Sequence, residues 1–122
     1  MGKRIVHVEL PAKDTDRAET FWEGFAGWSI EDSGMPGIDY RMFQDEGWGG
    51  AVYPQQEGEQ GPVVYFDSDD IEADLAKVRD LGGNAEQKQP IPHVGWFARC
   101  QDTEGNPFSL FQSDESVAPP SQ

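Results

Sequence analysis

His7 and Glu9 stand two residues apart in Ile5-Val6-His7-Val8-Glu9-Leu10. The run alternates with a period of two, the signature of a strand, which puts Ile5, His7 and Glu9 on one face and Val6, Val8 and Leu10 on the other. An imidazole that titrates near neutrality can serve as a metal ligand, a general base or a hydrogen-bond donor to a bound molecule. A carboxylate on the same face would orient it and raise its pKa. The competing reading is a histidine satisfied by its sheet neighbours and a glutamate solvated at the rim.

Other reactive side chains are sparse. His93 lies in the Pro-rich stretch Gln89-Pro90-Ile91-Pro92-His93-Val94-Gly95, which reads as a connector leading into a strand. Cys100 is the one cysteine, so no intramolecular disulfide forms, and its place in a strand suits a small buried thiol better than a nucleophile. With two histidines and one cysteine, a closed Cys/His zinc site is excluded by count. Arg41 and Arg99 could each meet an anionic group, although surplus acids are ready partners for both. Gly47-Trp48-Gly49-Gly50 lacks the spacing of a dinucleotide fingerprint, and neither His-Glu-x-x-His nor Gly-x-Ser-x-Gly occurs.

The 122 residues carry 9 Lys+Arg against 23 Asp+Glu, a net charge of −14 without a basic stripe. Binding to nucleic-acid phosphates is disfavoured, and a strongly solvated surface is expected. No apolar run approaches the roughly 20 residues that span a bilayer, and Met1-Gly2-Lys3-Arg4 leads straight into a strand. A soluble, cytoplasmic protein without membrane or nucleic-acid partners is expected. Residues 114–122 are polar and Pro-rich and are expected to fray.

The elements that position these groups repeat. His7, Asp14 and Gly27 in the first half answer to Val63, Asp70 and Gly83 in the second, at a constant offset of 56 residues. Asp14 is expected to cap a helix bearing Ala18, Phe21, Trp22 and Phe25, an apolar stripe for a sheet, with Gly27 ending it. Residues 28–31, 38–44 and 50–53 are strand candidates. After the polar connector 55–61 the order begins again: strand 63–67, a helix from Asp69 or Asp70 with Ile71, Leu75, Val78 and Leu81, then strands at 84–88, 95–100 and 108–112. Both halves read β-α-β-β-β. At this length the two are expected to share one core in a single domain, residues 1–113, with module one at 1–56 and module two at 61–113. Tyr65 shares the His7-equivalent face of its strand. Either Trp96 or Phe97 must face the same side, and Trp96 is the expected ligand contact.

Two such modules, with His7-Val8-Glu9-Leu10 before Asp14 and Gly95-Trp96-Phe97-Ala98 before Asp102-Thr103-Glu104-Gly105-Asn106-Pro107-Phe108, resemble the vicinal oxygen chelate superfamily. That superfamily includes glyoxalase I, bleomycin-resistance proteins and extradiol dioxygenases, and the closest flavour is its small glyoxalase-like group. The resemblance implies an α+β fold: two tandem βαβββ modules forming a curved, cup-shaped mixed sheet with helices on the outer face. Metal-using members hold a divalent ion through a residue from the first and the last strand of each module. Here those positions fall on His7, Val63, Ser109 and Gly50 or Ala51, and His7 alone is a strong ligand.

The expected function is therefore binding of a small organic molecule in an aromatic cup, with His7, Glu9, Tyr65, Trp96 and Ser109 as contacts and His7 and Glu9 as candidate catalytic groups. No cofactor is expected; a divalent metal would engage His7. The first alternative is a metal-dependent lyase, isomerase or dioxygenase whose ligands include Glu9 or Gln112. The second is a non-catalytic interaction module. The resemblance also implies a homodimer.

Overall fold

The computed structural model describes residues 2–59 and 61–119. The chain is α+β and divides into two compact units, Val6–Val63 and a second that joins residues 2–5 to residues 64–119. Each unit contains its own cluster of buried side chains.

The first unit runs β1 (Ile5–Ala12), α1 (Thr15–Ala26), β2 (Glu31–Asp32), β3 (Arg41–Asp45) and β4 (Trp48–Pro54). Its strands lie in the order β2-β3-β4-β1, with β4 parallel to β1 and antiparallel to β3. Asp14 caps α1 by accepting from the Arg17 amide at 3.0 Å, and Gly27, at φ 77°, donates its N–H to the Glu23 carbonyl. That left-handed cap suits glycine, which has no Cβ to strain. Ala18 and Trp22 pack over Ile30, Phe43 and Val52 together with Leu10, Trp28 and Trp48. Phe21 and Phe25 do not join them: they are 57 % and 77 % exposed and stack on each other. The expected four-residue stripe is thus half used, because Ala18 and Trp22 alone face the sheet. Small residues in β4 permit close packing. A Cβ at Gly50 would collide with the Val8 carbonyl and the Phe43 ring.

The second unit runs β5 (Val63–Asp67), α2 (Ile71–Asp80), β6 (Asn84–Ala85), β7 (Gln89–Ile91), β8 (Gly95–Gln101) and β9 (Pro107–Ser113). Its order is β5-β9-β8-β6, with β7 also paired to β8. Where a strand was expected at 84–88, the two-residue β6 forms, and part of the Pro-rich connector becomes β7. Pro90 is tolerated there because β7 pairs on one side only. Asp70 repeats the role of Asp14, accepting from the Ala73 amide at 3.1 Å. The left-handed glycine after α2 is Gly82, at φ 95°, one residue before the position that the repeat gives. Gly83 serves packing instead, since a Cβ there would press on the Gln101 carbonyl. Ile71 and Leu75 of α2 bury against Ala98, Cys100 and Leu110, each large side chain contributing about 1.5–3 kcal/mol.

Both ends of the second unit depart from expectation. Residues 2–5 belong to it rather than to module one: Lys3 Nζ donates to Asp74 Oδ2 at 2.6 Å and to the Asp67 carbonyl at 3.1 Å, and the Arg4 carbonyl accepts from the Asp67 amide. The start of the expected frayed tail is docked. Asp114 and His93 donate their amides to the carbonyls of Val94 and Val117, and Val117 is 5 % exposed. Residues 120–122 of that tail lie outside the described residues.

Candidate functional site

His7 and Glu9 share the face of β1 that turns away from the α1 core, where Leu10 and Ala12 have the opposite parity. In register, His7 lies beside Gly49 and Glu9 beside Ala51 on β4, while Gln44 and Met42 of β3 complete the two rows. The small residues of β4 leave the middle of this face low. The Gln44 amide lies across it, with Nε2 placed 2.9 Å from where a Gly49 Cβ would stand.

Tyr40, two residues before Met42, supplies the connection that sequence reasoning missed. Its hydroxyl donates to Glu9 Oε2 at 2.7 Å and lies 2.7 Å from His7 Nε2. A phenol has one proton to give. With that proton on the Glu9 carboxylate, the phenol oxygen accepts from His7 Nε2–H, which fixes the imidazole tautomer. The two rings are nearly parallel, with centroids 6.2 Å apart. Tyr53 flanks Tyr40 at 6.2 Å, and its own hydroxyl donates to Glu59. Continuing the two-residue period back from Met42 to Tyr40 was the signal available in the sequence.

Glu9 is linked to His7 through the Tyr40 phenol. The imidazole's pKa moves opposite to expectation: burial disfavours its cation and lowers the pKa to about 4. At neutral pH His7 is an uncharged member of a hydrogen-bonded chain.

The other predicted contacts belong to the second unit. Tyr65, Ser109 and Arg99 are register partners across β5, β9 and β8, and share the face opposite α2. Trp96 does not. It packs with Ala98 and Cys100 on the α2 side, under the Lys88 ammonium at 4.2 Å, and donates Nε1–H to Asp114 Oδ2 at 3.3 Å. Its expected place as a ligand contact is corrected accordingly; parity gives the opposite face to Phe97. Gln112 is likewise committed to the helix side, where its Oε1 accepts from the Ile71 amide at 2.8 Å. Cys100 is buried, and that burial pushes its thiol up to about 11. Arg41 is taken by acids, bonding Asp16 at 2.8 Å and Asp39 at 2.9 Å.

The register also resolves the position equivalent to Ser109. Glu9 pairs with Ala51 as Tyr65 pairs with Ser109, so that position is Ala51 and not Gly50. The four positions that the resemblance assigns to an ion are thus His7, Val63, Ala51 and Ser109. One imidazole and one hydroxyl are a poor donor set for a divalent ion, and among the described residues no group of three His, Cys, Asp or Glu side chains is arranged to hold one.

A βαβββ unit and a second on the same plan with the short extra strand β7 are the fold of the glyoxalase/bleomycin resistance/dioxygenase superfamily, and comparison with known proteins agrees. Residues 6–111 match the family model described as a glyoxalase-like domain, and the chain belongs to that family. A Didymella fabae protein described as glyoxylase-like domain-containing is 27% identical over 119 residues, which cover 88% of this chain and 91% of that protein. CFP32 of Mycobacterium bovis, named as a candidate glyoxylase, is 32% identical over 115 residues; the match takes in 88% of this chain but 43% of CFP32. The chain thus spans under half the length of that relative.

Solved structures share the fold at low identity. BH1468 of Bacillus halodurans superposes with a TM-score of 0.72 at 12% identity, covering 98% of this chain and 100% of that one. A superfamily member from Vibrio splendidus gives 0.67 at 17%, covering 92% and 100%. Streptomyces coelicolor methylmalonyl-CoA epimerase, in complex with 2-nitronate-propionyl-CoA, gives 0.65 at 20%, covering 96% and 98%.

Proposed function

We propose that the protein binds a small organic molecule on the first unit's His7 face, held by a hydrogen-bonding network built on an uncharged imidazole in place of the family's metal ion. The observation that carries this reading is the chain from His7 Nε2 through Tyr40 Oη to Glu9 Oε2, with both links at 2.7 Å. It engages in hydrogen bonds the imidazole and the carboxylate that an ion would require. A network whose members are fixed by one another is preorganised and loses little entropy when a ligand arrives. Tyr40 and Tyr53 add aromatic walls suited to a flat or amphipathic molecule. Binding is favoured over acid/base turnover, because an imidazole with a pKa of about 4 is a weak base at neutral pH.

Two measurements test this. Protein purified without chelators is analysed for bound metal; stoichiometric Ni, Zn, Mn or Fe that is lost in His7→Ala would overturn the metal-free reading. A thermal-shift screen of neutral organic ligands is run on the native chain and on Tyr40→Phe. Hits that weaken in Tyr40→Phe are expected, and the absence of any hit would favour a non-catalytic interaction module. Turnover of hemithioacetals, epoxides or catechols on addition of divalent ions would favour a metal-dependent lyase, isomerase or dioxygenase instead.

A further inference from the structure

The second unit carries its own arrangement of polar groups on the sheet face opposite α2. Ser109 is the middle of a row: Tyr65 of β5 lies on one side and Arg99 of β8 on the other. Residues directly paired across neighbouring strands project to the same face. The helix-side core holds the residues of opposite parity, namely Phe66, Ala98, Cys100, Phe108 and Leu110.

Two features of this row are unusual. Ser109 is 1 % exposed, and its hydroxyl is the buried side-chain polar atom that lacks a hydrogen-bond partner among the described residues. Leaving such a group unpaired is unfavourable, so a polar partner that reaches it gains more than at a solvated hydroxyl. Arg99 beside it is exposed and makes no side-chain ion pair among the described residues, in a chain with a net charge of −14. A guanidinium offers a planar fork of donors that matches a carboxylate. The next row on the same face holds Asp67, Phe111 and Phe97, with the two phenylalanines directly paired.

We infer that Arg99 and Ser109 form a carboxylate-recognition row, which takes an amphipathic organic acid whose apolar body lies on Phe97 and Phe111. Arg99 is the exposed arm of the row and offers its guanidinium to one carboxylate oxygen, while the Ser109 hydroxyl donates to the other. Tyr65, 7 % exposed, walls the far side. Asp67, at the outer end of the aromatic row, disfavours a second anionic group there and so selects monocarboxylates. This inference rests on the reading of the chain as a small-molecule binder, but uses residues of the second unit alone.

Calorimetric titration of the full chain with 3-phenylpropanoate and with its uncharged isostere 3-phenylpropanamide tests it. The acid is expected to bind at least about tenfold more tightly than the amide, the ratio of one charge-assisted contact. Arg99→Gln should erase that preference, and Arg99→Lys should retain part of it. Ser109→Ala separates recognition from structure: removing an unpaired buried hydroxyl should raise the ligand-free Tm, while acid binding weakens by about threefold or more. Equal affinity for acid and amide, no binding of either, or a preference that survives Arg99→Gln would overturn the inference. Neutral ligands that depend on Tyr40 would then still support the first-unit reading, so the two fail separately.

Discussion

Acid should destabilise this protein through His7 before its carboxylates begin to matter. Burial lowers the His7 pKa from 6.5 to about 4 in the folded chain, so the unfolded chain binds the extra proton throughout that interval. Stability from this group is complete above the unfolded pKa and is lost as pH falls toward the folded one. That lowering corresponds to about 3 kcal/mol in all, of which about 2 kcal/mol is lost between pH 7 and pH 5. The perturbed carboxylates Asp39, Asp74, Asp102 and Asp114 are all held below 3.8 by hydrogen bonds or neighbouring cations, so their contributions fall away at lower pH. Urea unfolding of the native chain and of His7→Gln, followed from pH 7 to pH 4, isolates the imidazole. The difference between the two proteins should narrow or reverse by about 2 kcal/mol on going to pH 5, and the His7 Cε1 proton resonance should titrate near pH 4. Parallel stability curves, or an imidazole titrating at 6 or above, would refute a neutral, desolvated His7.

Three further outcomes follow from the packing. Tyr40→Phe removes one hydrogen-bond partner from His7 and one from Glu9 and should cost about 2 kcal/mol in denaturant unfolding. Gly50→Ala drives a methyl against the Val8 carbonyl and the Phe43 ring, and should lower stability by about 1–3 kcal/mol, read as a fall in Tm. Val117→Ala should cost about 2 kcal/mol because Val117 is buried; an unchanged Tm would show that the docked tail contributes nothing.

The repeat made most of the scaffold legible. Asp14 and Asp70 announce helix starts through a local mechanism, a side chain capping its own first turn, and both do so in the structure. Period-two alternation in β1 gives the face of His7 and Glu9 for the same reason: strand geometry is local. What failed depends on partners distant in sequence. In β8 the alternation separates Trp96 from Phe97, yet which of them meets α2 is fixed by Ile71 and Leu75, and Trp96 proves to be the inward one. The stripe Phe21–Phe25 has helical period but no sheet beneath it. The sign of the His7 shift was also hidden, because burial outweighs a carboxylate that acts through an intervening phenol.

The two units place unlike groups at equivalent positions. Where a symmetric ion site needs a ligand from each first strand, β1 has His7 and β5 has Val63; where it needs one from each last strand, β4 has Ala51 and β9 has Ser109. A partial ligand set would leave buried donors and acceptors unpaired, a state that costs more than having none. In the first unit Tyr40 relieves that cost by bridging His7 and Glu9. In the second unit the Ser109 hydroxyl has no such relief. The first face is thus internally satisfied, whereas the second keeps an unpaired buried hydroxyl beside the exposed Arg99.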